Sequence, residues 1–407
     1  MSKTAPTREA ERIDILDVLR GLGVLGILAV NAAAFAYPTE AYFNPLNAPV
    51  PFEGLAVETW RIVHVFFEQK FITLFSMLFG VSLFLVGGER DDAERTRLLR
   101  WRLFWLALMG IGHGAAIWYG DVLLAYAVAG FAVSFARSWS ARGLLLSGVM
   151  LYLAGAAVES GAYALLMVAP LPPDELARMS QEIGWRLSAA DMRDTIAAFG
   201  GTFDQSLTAN FNTWLEYLWL LFWPKTYGLM MIGLGLYKVG YLRGQAPAWV
   251  HAILVIVGAC MLALMNQGAS QAIAAGFPML ETLGPWRLAL ASGALFATLG
   301  YVSALMLLHA AVGTSGLWAL AATGRMAFTN YLAQSLIMTG IFYGGRGLGL
   351  FGQLDWTELA VVVMGVWALQ LIWSPLWLSV FSMGPLEWIW RCLTYRRFLP
   401  IGRAREA

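Results

Sequence analysis

Within the apolar stretch RWRLFWLALMGIGHGAAIWYGDVLLAYAVAG (residues 100–130), an arginine and a histidine stand eleven residues apart. In a helix, the eleven steps from Arg102 to His113 span roughly 16 Å and close to three whole turns, so both side chains project from one face. A guanidinium near one membrane surface would then share a stripe with an imidazole deep in the opposite half of the bilayer. Such a stripe suits a substrate that enters from one side and reacts near the other. Asp121 follows His113 across a tight Tyr119-Gly120-Asp121 turn. Each residue also has a plain structural role open to it. Arg102 can be a positive-inside anchor, His113 a hydrogen-bonded packing residue, and Asp121 a turn former. Ionisable groups inside membrane spans are costly, which makes a functional role the working expectation for His113.

The elements that position these residues are membrane helices. Of 407 residues, 59% are hydrophobic and 13% charged, against roughly 25% charged in soluble domains. Mean hydropathy is +0.63. Several stretches approach the roughly 20 apolar residues needed to cross the hydrocarbon core. The net charge of +1 gives no ground for a nucleic-acid partner. Cys260 in a candidate span and Cys392 near the C-terminus suggest neither a disulfide nor a metal site. The N-terminal MSKTAPTREAERIDILDVLR is polar, and no small-residue cleavage site follows the first apolar run, so that run is expected to be a retained anchor.

Ten spans are expected, near 18–37, 66–87, 99–118, 122–136, 143–168, 225–242, 247–266, 287–309, 323–343 and 357–381. With the N-terminus inside, the cytoplasmic segments collect Lys3, Arg8, Arg12, Arg20, Arg90, Arg95, Arg97, Arg100, Arg102, Arg137, Arg142, Lys238, Arg243, Arg391, Arg396, Arg397, Arg403 and Arg405. These are 18 of the 27 Lys and Arg residues, and Arg325 makes nineteen. The expectation is an all-α polytopic protein with both termini cytoplasmic. It forms one transmembrane domain, with an N-terminal half 1–168, an outer segment 169–224 and a C-terminal half 225–407. The aromatic run 214–223 within the outer segment suits a helix lying at the membrane interface. Ordinary packing there is expected ahead of covering an external cavity.

Other polar groups are few. Asp17 and Arg20 can pair on one helix face, as can Glu387 and Arg391. Glu68, Lys70 and Ser76 enter the second span. Asn330, Tyr331, Gln334 and Ser335 cluster in the ninth, suited equally to interhelical hydrogen bonding and to substrate contact. There is no P-loop, HExxH or zinc spacing, and GRGLG at 345–349 follows a span rather than a strand. His64, His113, His251 and His309 are too scattered for a metal site.

The segments LDVLRG (16–21) with Asn31, KFITLFSMLFG (70–80) and GIGHGAAIWYGDVLLAYAVAG (110–130) resemble the YeiB-like family of bacterial membrane proteins. So do GRMAFTNYLAQS (324–335), GLGLFG (347–352) and GPLEWIWRCLTY (384–395). That family is similar to a wider superfamily of transmembrane acyltransferases. Its members take an acyl group from cytoplasmic acyl-CoA to an acceptor on the far side. Arg102 and His113 reproduce an Arg, ten residues and a His that recur in its O-acetyltransferase branch.

The resemblance implies a multi-pass acyltransferase of the bacterial inner membrane. Acyl-CoA would be the donor, and a small molecule, glycan or lipid the acceptor. His113 would be the general base or a transient acyl carrier, oriented by Asp121. Arg102, with Arg97 and Arg100, would hold the CoA phosphates. Asn330, Tyr331 and Gln334 would bind the acceptor or the acyl carbonyl, with Lys70 and Ser76 as further substrate contacts. No metal is expected. Membrane lipids are the surroundings, and homo-oligomerisation is left open. The alternative is a transporter or flippase, in which Arg102, His113, Asp121 and Lys70 form a substrate or proton pathway.

Overall fold

The computed structural model describes residues 14–169 and 171–402. The basic residues expected at 3, 8, 12, 403 and 405 lie outside the described residues, as does Pro170. The described chain is helical throughout, with an isolated bridge between Phe381 and Gly402. A chain in lipid must satisfy its backbone polar groups internally, and helices do so within each segment.

The first half contains α1 (Asp14–Ala36), α2 (Leu55–Phe66), α3 (Lys70–Gly87), α4 (Ala93–Ala116), α5 (Leu123–Val133) and α6 (Ala141–Val168). The middle segment contains α7 (Pro173–Glu182), α8 (Ala189–Gly200) and α9 (Phe203–Glu216). The second half contains α10 (Pro224–Lys238), α11 (Ala248–Ala275) and α12 (Met279–Glu281), the last running through a π-turn into α13 (Arg287–Gly316). It ends with α14 (Trp318–Arg325), α15 (Ala327–Phe342), α16 (Trp356–Val380) and α17 (Pro385–Tyr395).

Each expected span coincides with a helix, but among the described residues six helical segments are long and apolar enough to cross a membrane by themselves. The other four differ for separate reasons. Helices α5, α10 and α15 have 11, 15 and 16 residues. Helix α4 has 24 but carries Arg95, Arg97, Arg100 and Arg102 in its first half. The expected second span also divides. Gln69 adopts a left-handed conformation (φ 67°) between α2 and α3, setting Glu68 and Lys70 on either side of a break.

Small residues let the helices meet closely, as is usual where no water drives association. A Cβ on Gly324 of α14 would lie 1.8 Å from the Asp17 carbonyl oxygen of α1. This contact fixes the entry to α15, which carries the polar cluster. Aromatic packing closes the opposite end. Phe35, Trp118, Tyr119, Phe199, Tyr343 and Phe351 gather around the α4–α5 turn in one buried cluster.

Candidate active site

Helix α4 delivers His113 in its last turn, 2% exposed. Its Nδ1 lies 2.9 Å from Asp121 Oδ1. The two Asp121 oxygens also accept the N–H groups of Leu123 (3.1 Å) and Leu124 (2.8 Å), which open α5. Asp121 therefore caps α5 and holds the imidazole at once. A carboxylate oxygen accepts, so Nδ1 donates, and in the neutral imidazole Nε2 is then the nitrogen with the lone pair. That lone pair faces Ser335 Oγ of α15 at 2.9 Å.

Two outside elements pin the turn. Asn210 of α9 donates to the carbonyls of Gly114 (2.9 Å) and Ala115 (3.2 Å) and accepts the Tyr119 N–H (2.7 Å). Arg346, from the loop after α15, donates to the Ile117 carbonyl at 2.8 Å. Together they satisfy carbonyls that the end of α4 would leave orphaned.

Two cavities flank this group. One, about 750 Å³, is lined by Asn31, Ser76, Asp121, Glu159, Lys225 and Arg287, with a wall of Trp214, Tyr217, Leu218 and Trp219. The aromatic run 214–223 is not a single α-helix: α9 ends at Glu216, a 3₁₀ segment Tyr217–Phe222 follows, and part of the run lines this cavity. The other cavity, about 550 Å³, holds Arg20, Arg95, Arg102, Tyr126, Tyr331 and Glu387.

Val122 lines both cavities. Ser76 on one side and Tyr126 on the other share a hydrogen bond of 2.7 Å. His113 and Ser335 line neither. Asp121 borders the larger cavity, and Tyr331 borders the smaller, its ring 5.3 Å from the imidazole. One side chain thus separates His113 from each space.

In the smaller cavity, Arg95, Leu98, Arg102 and Leu106 follow one face of α4. The Arg102 guanidinium stacks 3.7 Å over Trp390, whose Nε1 donates to the Arg102 carbonyl at 2.9 Å. Asp17 and Arg20 pair at 2.7 Å on its wall. Arg97 and Arg100, expected beside Arg102, are exposed and line no part of it. They stand five and two residues from Arg102, turned about 140° and 160° away on a helix. Arg20, Arg95, Arg325 and Arg391 supply the positive charge instead. The Glu387 carboxylate, expected to pair along its own helix, accepts the N–H groups of Phe328 (2.8 Å) and Thr329 (3.1 Å) and so caps α15. Burial pushes this carboxyl up, against the hydrogen bonds it accepts.

The remaining candidates separate into two groups. Ser76 and Tyr331 line cavities. Asn330 is engaged by Thr323, Ser374 and Trp373, and the Gln334 amide nitrogen donates to the Val24 carbonyl and Gln370, so both fasten helices together. Lys70 is fully buried, donates to the His64 carbonyl at 3.2 Å and reaches neither cavity.

Sequence reasoning placed Ser335 only within a cluster suited to interhelical hydrogen bonding or substrate contact, and gave no role to the network in which Arg287 joins Glu68 and Glu159 at 2.6 Å each. Lys225 joins Glu159 at 2.9 Å in the same network. The available signal was charge inside otherwise apolar segments.

Residues 236–397 match the family described as protein of unknown function DUF418. The uncharacterized protein YeiB of Escherichia coli strain K12 is 32% identical over 95% of this chain and 97% of its own length. The uncharacterized protein YxaH of Bacillus subtilis strain 168 is 30% identical over 99% of each. No solved structure matches. With relatives of that similarity covering nearly its whole length, the chain belongs to the YeiB-like family.

Proposed function

We propose that the protein is a multi-pass acyltransferase of the bacterial inner membrane. It would pass an acyl group from acyl-CoA in the Arg102 cavity to an acceptor in the Asp121 cavity. In this reading the chain crosses ten times, both termini are cytoplasmic, and the Arg102 cavity opens to the cytoplasm. The observation that carries it is the Asp121–His113 pair in the partition between the two cavities.

A cluster of Arg20, Arg95, Arg102, Arg325 and Arg391 suits phosphates, which Arg binds in charge-assisted and often bidentate fashion. The roughly 16 Å along α4 from Arg102 to His113 is comparable to a pantetheine arm. A thioester held by its phosphates would therefore reach the partition. The imidazole, held by Asp121 with its Nε2 turned to Ser335 Oγ, supplies the base.

The test uses purified full-length protein and three measurements on each variant: thermal stability, CoA binding and release of CoA thiol from acyl-CoA. His113→Ala should fold and bind CoA while losing turnover by about 10²–10⁴-fold, the usual contribution of a general base. Arg102→Ala should weaken CoA binding, more so in salt, with part of the attraction shielded from screening. Full turnover by folded His113→Ala would eliminate the catalytic role. A packing role predicts the reverse pattern, lost stability with activity kept. The buried Glu68–Arg287–Glu159–Lys225 network is the feature that favours a transporter instead. Substrate flux without thiol release would support that reading.

A further inference from the structure

Among the described residues, the hydroxyl within hydrogen-bond reach of the base is that of Ser335. Asp121 fixes the hydrogen of His113 on Nδ1, and the Nε2 lone pair is turned to Ser335 Oγ at 2.9 Å. An acceptor hydroxyl arriving from either cavity would have to displace Ser335 before His113 could take its proton. Nucleophile, base and orienting carboxylate within hydrogen-bond reach are the signature of an activated serine, whatever the fold or chain order. Here the order along the chain is His113, Asp121, Ser335.

We propose that Ser335 is the nucleophile of the site and carries the acyl group between donor and acceptor. The inference rests on the acyltransferase reading and changes its chemistry from direct transfer to two half-reactions. In the first, Ser335 Oγ bonds to the thioester carbonyl carbon while its proton passes to His113 Nε2. The carbon–sulfur bond then breaks and the proton goes to the departing sulfur, leaving an acyl-serine ester and free CoA thiol. In the second, the acceptor hydroxyl attacks that ester and gives its proton to Nε2. The proton returns to Ser335 Oγ as the ester bond breaks.

The path to Oγ passes Tyr331. This residue lines the Arg102 cavity, precedes Ser335 by one helical turn and packs its ring on the imidazole at 5.3 Å. Ser335 is 1% exposed, so the first step requires the Tyr331 side chain to move aside. The contrasting role is structural: Ser335 would merely satisfy a buried ring nitrogen, while its hydroxyl stays within 3.4 Å of the Tyr331 carbonyl.

Two measurements on the full-length protein decide. A fluorophosphonate probe, which modifies base-activated serines without needing the true donor, should label Ser335 as mapped by mass spectrometry. Labelling should vanish in Ser335→Ala and fall at least tenfold in His113→Ala, with both variants shown to be folded by thermal melting. Separately, acetyl-, succinyl- and palmitoyl-CoA are each added without acceptor and quenched in acid. The preferred thioester should release about one thiol per protein and leave its acyl group on Ser335.

No probe on Ser335 of the folded protein overturns the proposal. So does an acyl adduct on His113, or Ser335→Ala turning over within twofold of the unaltered protein; the last leaves direct transfer standing. Labelling of Ser335 without any reaction toward CoA thioesters upholds the nucleophile and overturns CoA as donor.

Discussion

Asp121 does two things with one carboxylate, and a substitution can separate them. Asparagine caps helices about as well as aspartate, so Asp121→Asn should keep α5 anchored and cost less than about 1 kcal/mol of stability. It cannot accept from the Leu123 and Leu124 N–H groups and from His113 all at once, because one of its two polar atoms is a donor. The hydrogen is then no longer held on Nδ1, and Nε2 loses its fixed lone pair. Turnover should fall roughly 10²-fold or more while melting temperature barely moves; unchanged turnover would remove the orienting role. The His113–Asp121 pair was legible in the sequence because eight residues and one tight turn separate the two. Ser335 was legible only as a polar residue on the Tyr331 face of α15. Its partner lies 222 positions away, and helical spacing says which residues share a face without saying what that face meets. Arg97 and Arg100 lie off the cavity wall for a related reason: nearness along the chain does not give the angle around the helix.

Among the elements, α9 matters most for the site. Asn210 joins it to the α4–α5 turn through three buried backbone groups. Asn210→Ala would strand two carbonyls and one N–H, and buried unsatisfied groups cost about 1–3 kcal/mol each when no water replaces the partner. The variant should melt well below the unaltered protein and lose turnover together with stability, because the turn that aligns His113 and Asp121 loosens. Asn210→Asp should fall between the two, since it keeps the acceptor for Tyr119 N–H and loses both donors. Equal melting temperatures for all three proteins would show that α9 does not brace the turn. What the aromatic run of this segment packs against was not readable from its residues. Trp and Tyr suit any surface that is apolar at one end and wet at the other, and a cavity wall meets that description as well as a lipid interface does. The aromatic run 214–223 was therefore expected at the interface ahead of a cavity, and Trp214, Tyr217, Leu218 and Trp219 line the larger cavity.

At the scale of the whole molecule, two cavities approach one partition, and the proposed function requires them to open to opposite faces of the membrane. Leu98 lines the Arg102 cavity and Leu218 the other, and both are half-buried, so a cysteine at either position would be reachable from its own cavity. Cys260 and Cys392 are first replaced, since both are free thiols and Cys260 is exposed. In that background Leu218→Cys should react with a membrane-impermeant maleimide added to intact spheroplasts. Leu98→Cys should react only after the membrane is permeabilised. CoA added to the permeabilised preparation should slow labelling at Leu98→Cys, which shares its cavity with Arg102, and leave Leu218→Cys unaffected. Labelling of both from one side would mean that the Val122 and Ser76–Tyr126 partition does not divide the two compartments. Labelling of Leu98→Cys from outside, with Leu218→Cys protected, would invert the orientation and place the arginine cluster where acyl-CoA cannot supply it.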